Sequence, residues 1–134
     1  MIHEHWIQIF NDSFDRCNRD PAFLDRFYDI FISRNDEVSE KFKNTDMDKQ
    51  KGMLQISLSY MMMAHQNPRV LDKVAVRHNA NNLDIGPHLY SLWLDCMVEA
   101  VKRTDAQFSD DVEQSWRQMM QPGIDYIMRK YPVD

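Results

Sequence analysis

Three polar side chains interrupt lines of apolar residues in this sequence. His78 ends the inward line of one helical stretch, Gln50 lies on the inward line of another, and Tyr28 lies within the most apolar segment. A buried polar group must find a hydrogen bond, a ligand or water, since leaving it unpaired costs about 1–3 kcal/mol. An imidazole can bind a metal ion, a phenol can donate to a ligand, and an amide can orient that phenol. Each alone is ordinarily a satisfied core residue, so only their combination points to a shared site.

The elements that carry these residues are helices. Apolar residues recur at spacings of three and four, which is the helical period, and strand alternation is hard to find. Only three glycines and five prolines are available to turn the chain. Thr45, with Asp48 three residues on, predicts a helix start, and "QPG" at 121–123 predicts a bend in the last helix. The predicted helices cover about 3–18, 21–34, 36–42, 45–65, 68–80, 87–103 and 109–131.

Composition indicates one globular domain over residues 1–134. Hydrophobic residues make up 43% of the chain and charged residues 28%, and the net charge of −5 argues against nucleic acid or an anionic membrane as a partner. Cys17 and Cys96 lack metal-ligand spacing and are predicted to be reduced, buried thiols. The first twenty residues show no signal-peptide pattern and no stretch is long enough to span a membrane, so we expect a cytoplasmic location.

Several motifs together resemble those of the bacterial globins, namely single-domain bacterial haemoglobins and the haem domain of flavohaemoglobins. "RFYDIFISRNDEVSEKF" is similar to that family's aromatic–Tyr pair followed fourteen residues later by a Phe, here Tyr28 and Phe42. "KQKGML" resembles its distal helix, and "VAVRH" resembles the end of its proximal helix. "PHLYSLWLDCMVEAV" resembles its sixth helix, with Tyr90 as the family tyrosine, and Trp116 matches a tryptophan near the start of the last helix. The resemblance covers nearly the whole chain.

This resemblance implies the globin fold, a three-over-three helical sandwich around a haem pocket. It implies haem b (iron protoporphyrin IX) as the cofactor and His78 as the iron ligand. Tyr28 would donate a hydrogen bond to a bound gas, with Gln50 orienting its hydroxyl and Leu54 as an apolar wall. The remaining residues predicted to contact the haem are Phe42, Val74, Ile85, Tyr90, Trp93 and Met97.

Two departures from the family pattern leave alternatives open. The spacing from Phe42 to Gln50 is short, so a different gap would make Lys51 or Met53 the distal residue. The family's last helix supplies a glutamate that bonds the proximal histidine, whereas this chain has Tyr126, Arg129, Lys130 and Tyr131 near its end. His78 is therefore predicted to donate to a backbone carbonyl one turn earlier, such as that of Val74.

The implied function is reversible binding of dioxygen, nitric oxide or carbon monoxide, in oxygen transport or nitric oxide handling. One alternative is a nitric oxide dioxygenase, which would depend on a separate reductase because the chain has no room for a flavin or nicotinamide domain. Another is a gas sensor or a haem-free regulatory module. Gln50, Lys51 and Tyr28 are candidates for an internal sixth iron ligand. The sequence leaves a monomer and a homodimer equally open.

Overall fold

A computed structural model describes residues 2–132 of the chain. Within this range there are seven α-helices, one 3₁₀ turn at Pro68–Leu71 and no strand. The all-α prediction is confirmed. None of the described helices is long and apolar enough to cross a membrane. The helices are α1 Glu4–Asn18, α2 Phe23–Ser33, α3 Asp36–Phe42, α4 Met47–Met61, α5 Asp72–His78, α6 His88–Thr104 and α7 Asp110–Arg129.

The helices form two layers of three. One layer contains α2, α6 and α7, in which α6 packs against both of the others, and the other layer contains α1, α4 and α5. The layers meet where α1, α4 and α5 pack on α7. Between them lies an apolar core in which Trp116 is fully buried and contacts the rings of Phe10, Phe14 and Phe23 edge-on. Cys17 and Cys96 are free and buried, as predicted.

Helix α4 begins and ends differently from the prediction. Its N-cap is Asp46 rather than Thr45, because the Asp46 carboxylate accepts a hydrogen bond from the Lys49 amide at 3.2 Å. The helix ends at Met61, four residues before the predicted end near His65. Residues 62–66 form turns instead. In these turns an amide donates to the carbonyl three residues earlier, as the Ala64 amide does to the Met61 carbonyl at 3.2 Å. Asn67 then starts the 3₁₀ turn by accepting from the Arg69 amide.

Helix α7 is one continuous helix across the position of the predicted bend, as expected. Its N-cap is Ser109, as expected, and the helix is uninterrupted across Pro122 to Arg129. The packing around Gly123 explains why the residue after Pro122 is a glycine. A Cβ atom there would lie 2.5 Å from the sulfur of Met61 and 3.0 Å from Leu71 Cδ1. The absence of a side chain thus lets α7 approach α4 and the 3₁₀ turn closely.

A buried polar network joins α1, α7 and the loop after α6. The Asp105 carboxylate accepts hydrogen bonds from Ser13 Oγ at 2.7 Å and from Arg16 Nε at 2.6 Å and Nη2 at 2.9 Å. Ser13 Oγ in turn accepts from Trp116 Nε1 at 2.9 Å. Burial alone would raise the pKa of Asp105, but the bonds from Arg16, Ser13 and the Gln107 amide more than offset it, and the pKa lies below its usual value. The charged carboxylate therefore stabilises the fold.

Replacing Asp105 by asparagine is expected to lower the free energy of unfolding by about 1–2 kcal/mol at pH 7, because the bonds to the partly exposed Arg16 lose their charge. Since the folded-state pKa is lowered, the contribution is present above the unfolded pKa of about 3.9 and is lost as the pH falls through the folded pKa. The difference between wild type and variant should therefore shrink in acid. Urea unfolding at several pH values measures it.

Asp95→Asn is the matched control for this prediction. Asp95 also pairs with an arginine, Arg117, at 2.9 Å, but its side chain is 57% exposed. Exposed ion pairs contribute about 0–1 kcal/mol. Equal effects of the two substitutions would contradict the role assigned to the buried network.

Candidate functional site

A cavity of about 320 Å³ opens between the two layers. Residues of α2 to α7 and of the loop before α6 line it, and most of them are apolar. Of the ten residues predicted to form the site, the structure brings nine to this cavity. These nine are Tyr28, Phe42, Gln50, Leu54, Val74, His78, Ile85, Tyr90 and Trp93.

Two of the remaining predicted candidates lie elsewhere. Met97 is fully buried in the core and does not line the cavity. Lys51, an alternative distal residue, points to the surface and pairs with Asp25 at 2.5 Å. Met53, the other alternative, does line the cavity beside Gln50. Of the three alternatives, Gln50 and Met53 therefore reach the cavity, and Gln50 brings a side-chain amide to its wall.

His78 occupies the last position of the short helix α5, half-buried at the cavity wall. Its Nδ1 atom lies 2.7 Å from the carbonyl oxygen of Val74, one turn earlier, so the predicted hydrogen bond is confirmed. Because a carbonyl only accepts, Nδ1 carries the proton and Nε2 keeps its lone pair. Burial lowers the pKa of His78, and the nearby Arg77 lowers it further against the opposing effect of the Val74 bond. The imidazole is therefore held neutral, the form that binds metals.

The segment after His78 folds back over the end of α5. The Ile85 amide donates to the His78 carbonyl at 3.0 Å, and the Leu83 amide donates to the Arg77 carbonyl at 3.0 Å. Asp84 adopts a left-handed conformation with φ of 54°, which aspartate tolerates better than most residues. Lys41 Nζ binds the Asp84 carbonyl at 3.1 Å from α3. The helix break thus returns the chain to the cavity wall at Ile85 and satisfies the last carbonyls of α5.

Tyr28 and Gln50 meet inside the cavity. The Gln50 side-chain amide donates to the Tyr28 hydroxyl oxygen at 3.1 Å. Since the oxygen accepts this bond, the phenolic proton is free to be donated to another group in the cavity. Burial raises the pKa of Tyr28 to about 12, with the Gln50 bond acting in the opposite direction. The hydroxyl is therefore a protonated donor at neutral pH.

Two cations at the cavity wall were not anticipated from the sequence. Lys41 and the exposed Arg77 both line it, and the Arg77 guanidinium lies 3.7 Å from the sulfur of Met53. Lys41 directly precedes Phe42, and Arg77 directly precedes His78. This adjacency to predicted site residues was the one sequence feature that could have indicated their position at the cavity. The other lining residues that sequence reasoning did not assign to the site are mainly apolar: Phe31, Val38, Thr45, Ser57, Met61, Leu83, Leu89, Ile124 and Ile127.

Tyr90 shows that the cavity suits an occupant. Its side chain is 8% exposed, and its hydroxyl is one of two buried side-chain atoms without a hydrogen-bond partner among residues 2–132. Burial raises its pKa. Buried polar atoms are ordinarily paired, so an orphan at a cavity wall fits a ligand or ordered water there.

The side chains of the cavity could hold a metal ion only as part of a cofactor that supplies most of the metal's ligands. The described part of the chain contains no group of three or more His, Cys, Asp or Glu side chains able to hold a metal ion. His78 alone offers a free imidazole nitrogen to the cavity. A single protein ligand, apolar walls with aromatic rings and cations at the edge fit iron in a flat, apolar macrocycle that carries carboxylates.

Comparisons with known proteins give one informative match. A scan of protein-family models finds none that matches, and a search of curated proteins finds none either. Among solved structures, the chain is similar to the crystal structure of a protein from Pseudomonas aeruginosa PAO1, reported as structurally highly homologous to a human haemoglobin. The two chains are 31% identical over 96% of this chain and 99% of that one, with a TM-score of 0.91.

Proposed function

This chain belongs to the bacterial globins, with their helical sandwich fold, and from that premise we propose that it binds haem b and reversibly binds diatomic gases. The observation that carries the proposal is the fixed His78 imidazole. Its Nδ1 bond to Val74 leaves a neutral Nε2 at the wall of an apolar cavity. That is the arrangement of a proximal haem ligand, for which a hydrogen bond on the opposite ring nitrogen sets the tautomer.

The cavity residues divide by what they would contact. His78 Nε2 would bind the iron, Phe42 and Trp93 would pack on the porphyrin, and Lys41 and Arg77 would pair with its propionates. Bound haem supplies an iron coordination position at which dioxygen, nitric oxide or carbon monoxide can bind. The apolar walls would exclude water and would stabilise the bound macrocycle by burying its surface.

Tyr28 would supply a polar contact to a gas bound in the cavity. Bound dioxygen carries partial negative charge, so a hydroxyl donor favours it, whereas carbon monoxide gains little. Gln50 holds the oxygen of Tyr28 at 3.1 Å and so leaves its proton to be donated into the cavity. This pair supports dioxygen as the ligand, in transport or storage.

Nitric oxide oxidation is a second candidate, which the same Tyr28–Gln50 pair favours because it would hold dioxygen for reaction. It would need electrons from a separate reductase partner. Turnover of nitric oxide to nitrate with a generic reductase distinguishes it from simple gas binding. The open cavity of about 320 Å³ weighs against a haem-free module, whose pocket would be filled by side chains. For this chain, a cytoplasmic location stays a prediction from the sequence.

Haem titration tests the proposal directly. Purified protein is expected to take up one haem per chain from added haemin, with an absorption spectrum typical of a histidine-ligated haem. After reduction, the spectrum should change on exposure to dioxygen and to carbon monoxide, and the dioxygen change should reverse under vacuum. A protein that stays colourless after titration would contradict the proposal.

A further inference from the structure

Helix α4 carries an exposed apolar line on the side away from its core contacts. Ile56 is 57% exposed, Tyr60 38%, and Met63, which follows the helix end by two residues, 41%. These are three of the five large hydrophobic side chains exposed within residues 2–132. Ile56 and Tyr60, four residues apart, share one face of α4, and Met63 continues this line in the turn after the helix. Single exposed hydrophobic residues are ordinary, but a contiguous line indicates an interface.

The same face continues toward the start of α4 with Gly52 and Lys49. Both are exposed, and their spacings of three and four from each other and from Ile56 place them on the line. A Cβ at Gly52 would meet no atom within 4 Å, so the space that a side chain would occupy there is open, and we call this gap the notch. We call the five residues Lys49, Gly52, Ile56, Tyr60 and Met63 the α4 stripe.

The α4 stripe is complementary to itself about Ile56. Gly52 and Tyr60 lie four residues before and after Ile56, and Lys49 and Met63 lie seven before and after. If a second α4 lies antiparallel across it on a two-fold axis at Ile56, each Tyr60 ring faces the notch at Gly52 of the other copy. The two Ile56 side chains meet at the axis. On each side of the axis, the large side chain of Tyr60 thus faces a glycine, Gly52, of the other copy.

Charges at the ends of the stripe match the same arrangement. Glu4 and Met63 line one surface groove, so Glu4 is near the end of the stripe that would face Lys49 of the other copy. Between residues 2 and 132, neither Glu4 nor Lys49 makes an ion pair within the chain. The two-fold axis would therefore bring Lys49 of each copy close to Glu4 of the other copy, which forms two equivalent ion pairs.

We propose that the α4 stripe is the interface of a symmetric homodimer, with the second copy antiparallel across Ile56. The notch at Gly52 receives Tyr60, and Lys49 pairs with Glu4 of the partner. Such an isologous contact closes on itself and forms no larger assembly. It is independent of the haem proposal, because the stripe shares no residue with the part of α4 that lines the cavity, namely Gln50, Met53, Leu54, Ser57 and Met61.

Sedimentation velocity over a range of concentrations, on the protein with and without added haemin, tests this interface. Wild type should show a monomer–dimer equilibrium. Ile56→Asp, which places two like charges at the axis, and Gly52→Leu, which fills the notch, should each raise the dimer dissociation constant at least about tenfold. Val76→Asp is the matched control, since Val76 is 56% exposed on α5 and should leave the constant unchanged.

Circular dichroism of each variant checks folding, and Gly52→Leu is the safer substitution since it replaces an exposed helical glycine. A wild type that is monomeric at every concentration overturns the proposal. So does an assembly larger than a dimer, or a dimer that Val76→Asp weakens as much as Ile56→Asp.

A charge exchange tests the antiparallel register. Lys49→Glu alone and Glu4→Lys alone should each weaken the dimer, because each places like charges opposite one another. The double variant should restore the association, since the pair is only reversed. A double variant that dimerises no better than the single ones overturns the proposed two-fold pairing.

Discussion

Replacing His78 by alanine is expected to abolish stable haem incorporation. Alanine removes the only histidine nitrogen at the cavity wall, and no other described cluster of side chains could hold a metal. Loss of a group that only hydrogen-bonds a metal ligand typically weakens metal binding about 10–100-fold, so loss of the ligand itself should weaken haem binding by at least about 100-fold. Haem transfer to an excess of apomyoglobin, followed by absorbance, measures the release rate.

Two comparisons separate ligation from packing at this position. His88→Ala is the matched control, because His88 lies nearby at the start of α6 but contacts Glu37 at the exposed surface. It should retain haem with the wild-type spectrum. His78→Gly should regain a histidine-like spectrum when imidazole is added, since the free ring can replace the missing ligand. Unchanged haem content in His78→Ala would refute the ligand assignment.

Three polar residues of the cavity could be predicted from the sequence because they interrupt apolar lines, and the resemblance to the bacterial globins supplied their expected roles. Tyr28, Gln50 and His78 each lie where helical periodicity demands a buried side chain, and all three line one cavity. The hydrogen bond between His78 and the Val74 carbonyl was predicted on two grounds. The chain lacks the glutamate that the globin family has in its last helix, and in a helix the residue four positions earlier lies on the same face. Their roles toward haem stay predictions.

Other features depend on tertiary packing that periodicity does not encode. Met97 has the spacing of an inward residue on α6, but a helix in a two-layer fold has more than one buried face, and Met97 is on one that faces the core. Lys41 and Arg77 have the pattern of solvated charges, and only the folded chain brings both to the same cavity. The choice of Asp46 over Thr45 as the cap of α4 is a one-residue difference between two good capping residues.

The two cavity phenols differ in a way that assigns them different tasks. Tyr28 has its oxygen held by Gln50 and its proton free, whereas Tyr90 has no partner for its hydroxyl within the described chain. A positioned donor needs a second group that fixes its direction, and only Tyr28 has one. Tyr28 is therefore the better candidate for contact with a gas, and Tyr90 a wall residue whose hydroxyl an occupant or water would satisfy.

Replacing Tyr28 by phenylalanine is expected to speed dissociation of dioxygen from the haem-loaded protein roughly 10–100-fold. The estimate comes from the 1.5–3 kcal/mol that a hydrogen bond to a charged acceptor contributes, at about 1.4 kcal/mol for each tenfold change. Phenylalanine keeps the ring contacts with Phe27 and Phe42, so the walls should persist. Stopped-flow displacement of dioxygen by carbon monoxide measures the rate.

Carbon monoxide dissociation provides the internal control for Tyr28→Phe, since that ligand gains little from a hydroxyl donor and its rate should change much less. Gln50→Leu should act in the same direction as Tyr28→Phe but more weakly, about two- to tenfold, because Gln50 orients the donor through a neutral bond worth about 0.5–1.5 kcal/mol. The two substitutions should also be non-additive, because once the hydroxyl is absent Gln50 has nothing to orient. An unchanged dioxygen rate in Tyr28→Phe would mean that another group in the cavity is the donor, and full additivity would mean that Gln50 acts on the gas independently of Tyr28.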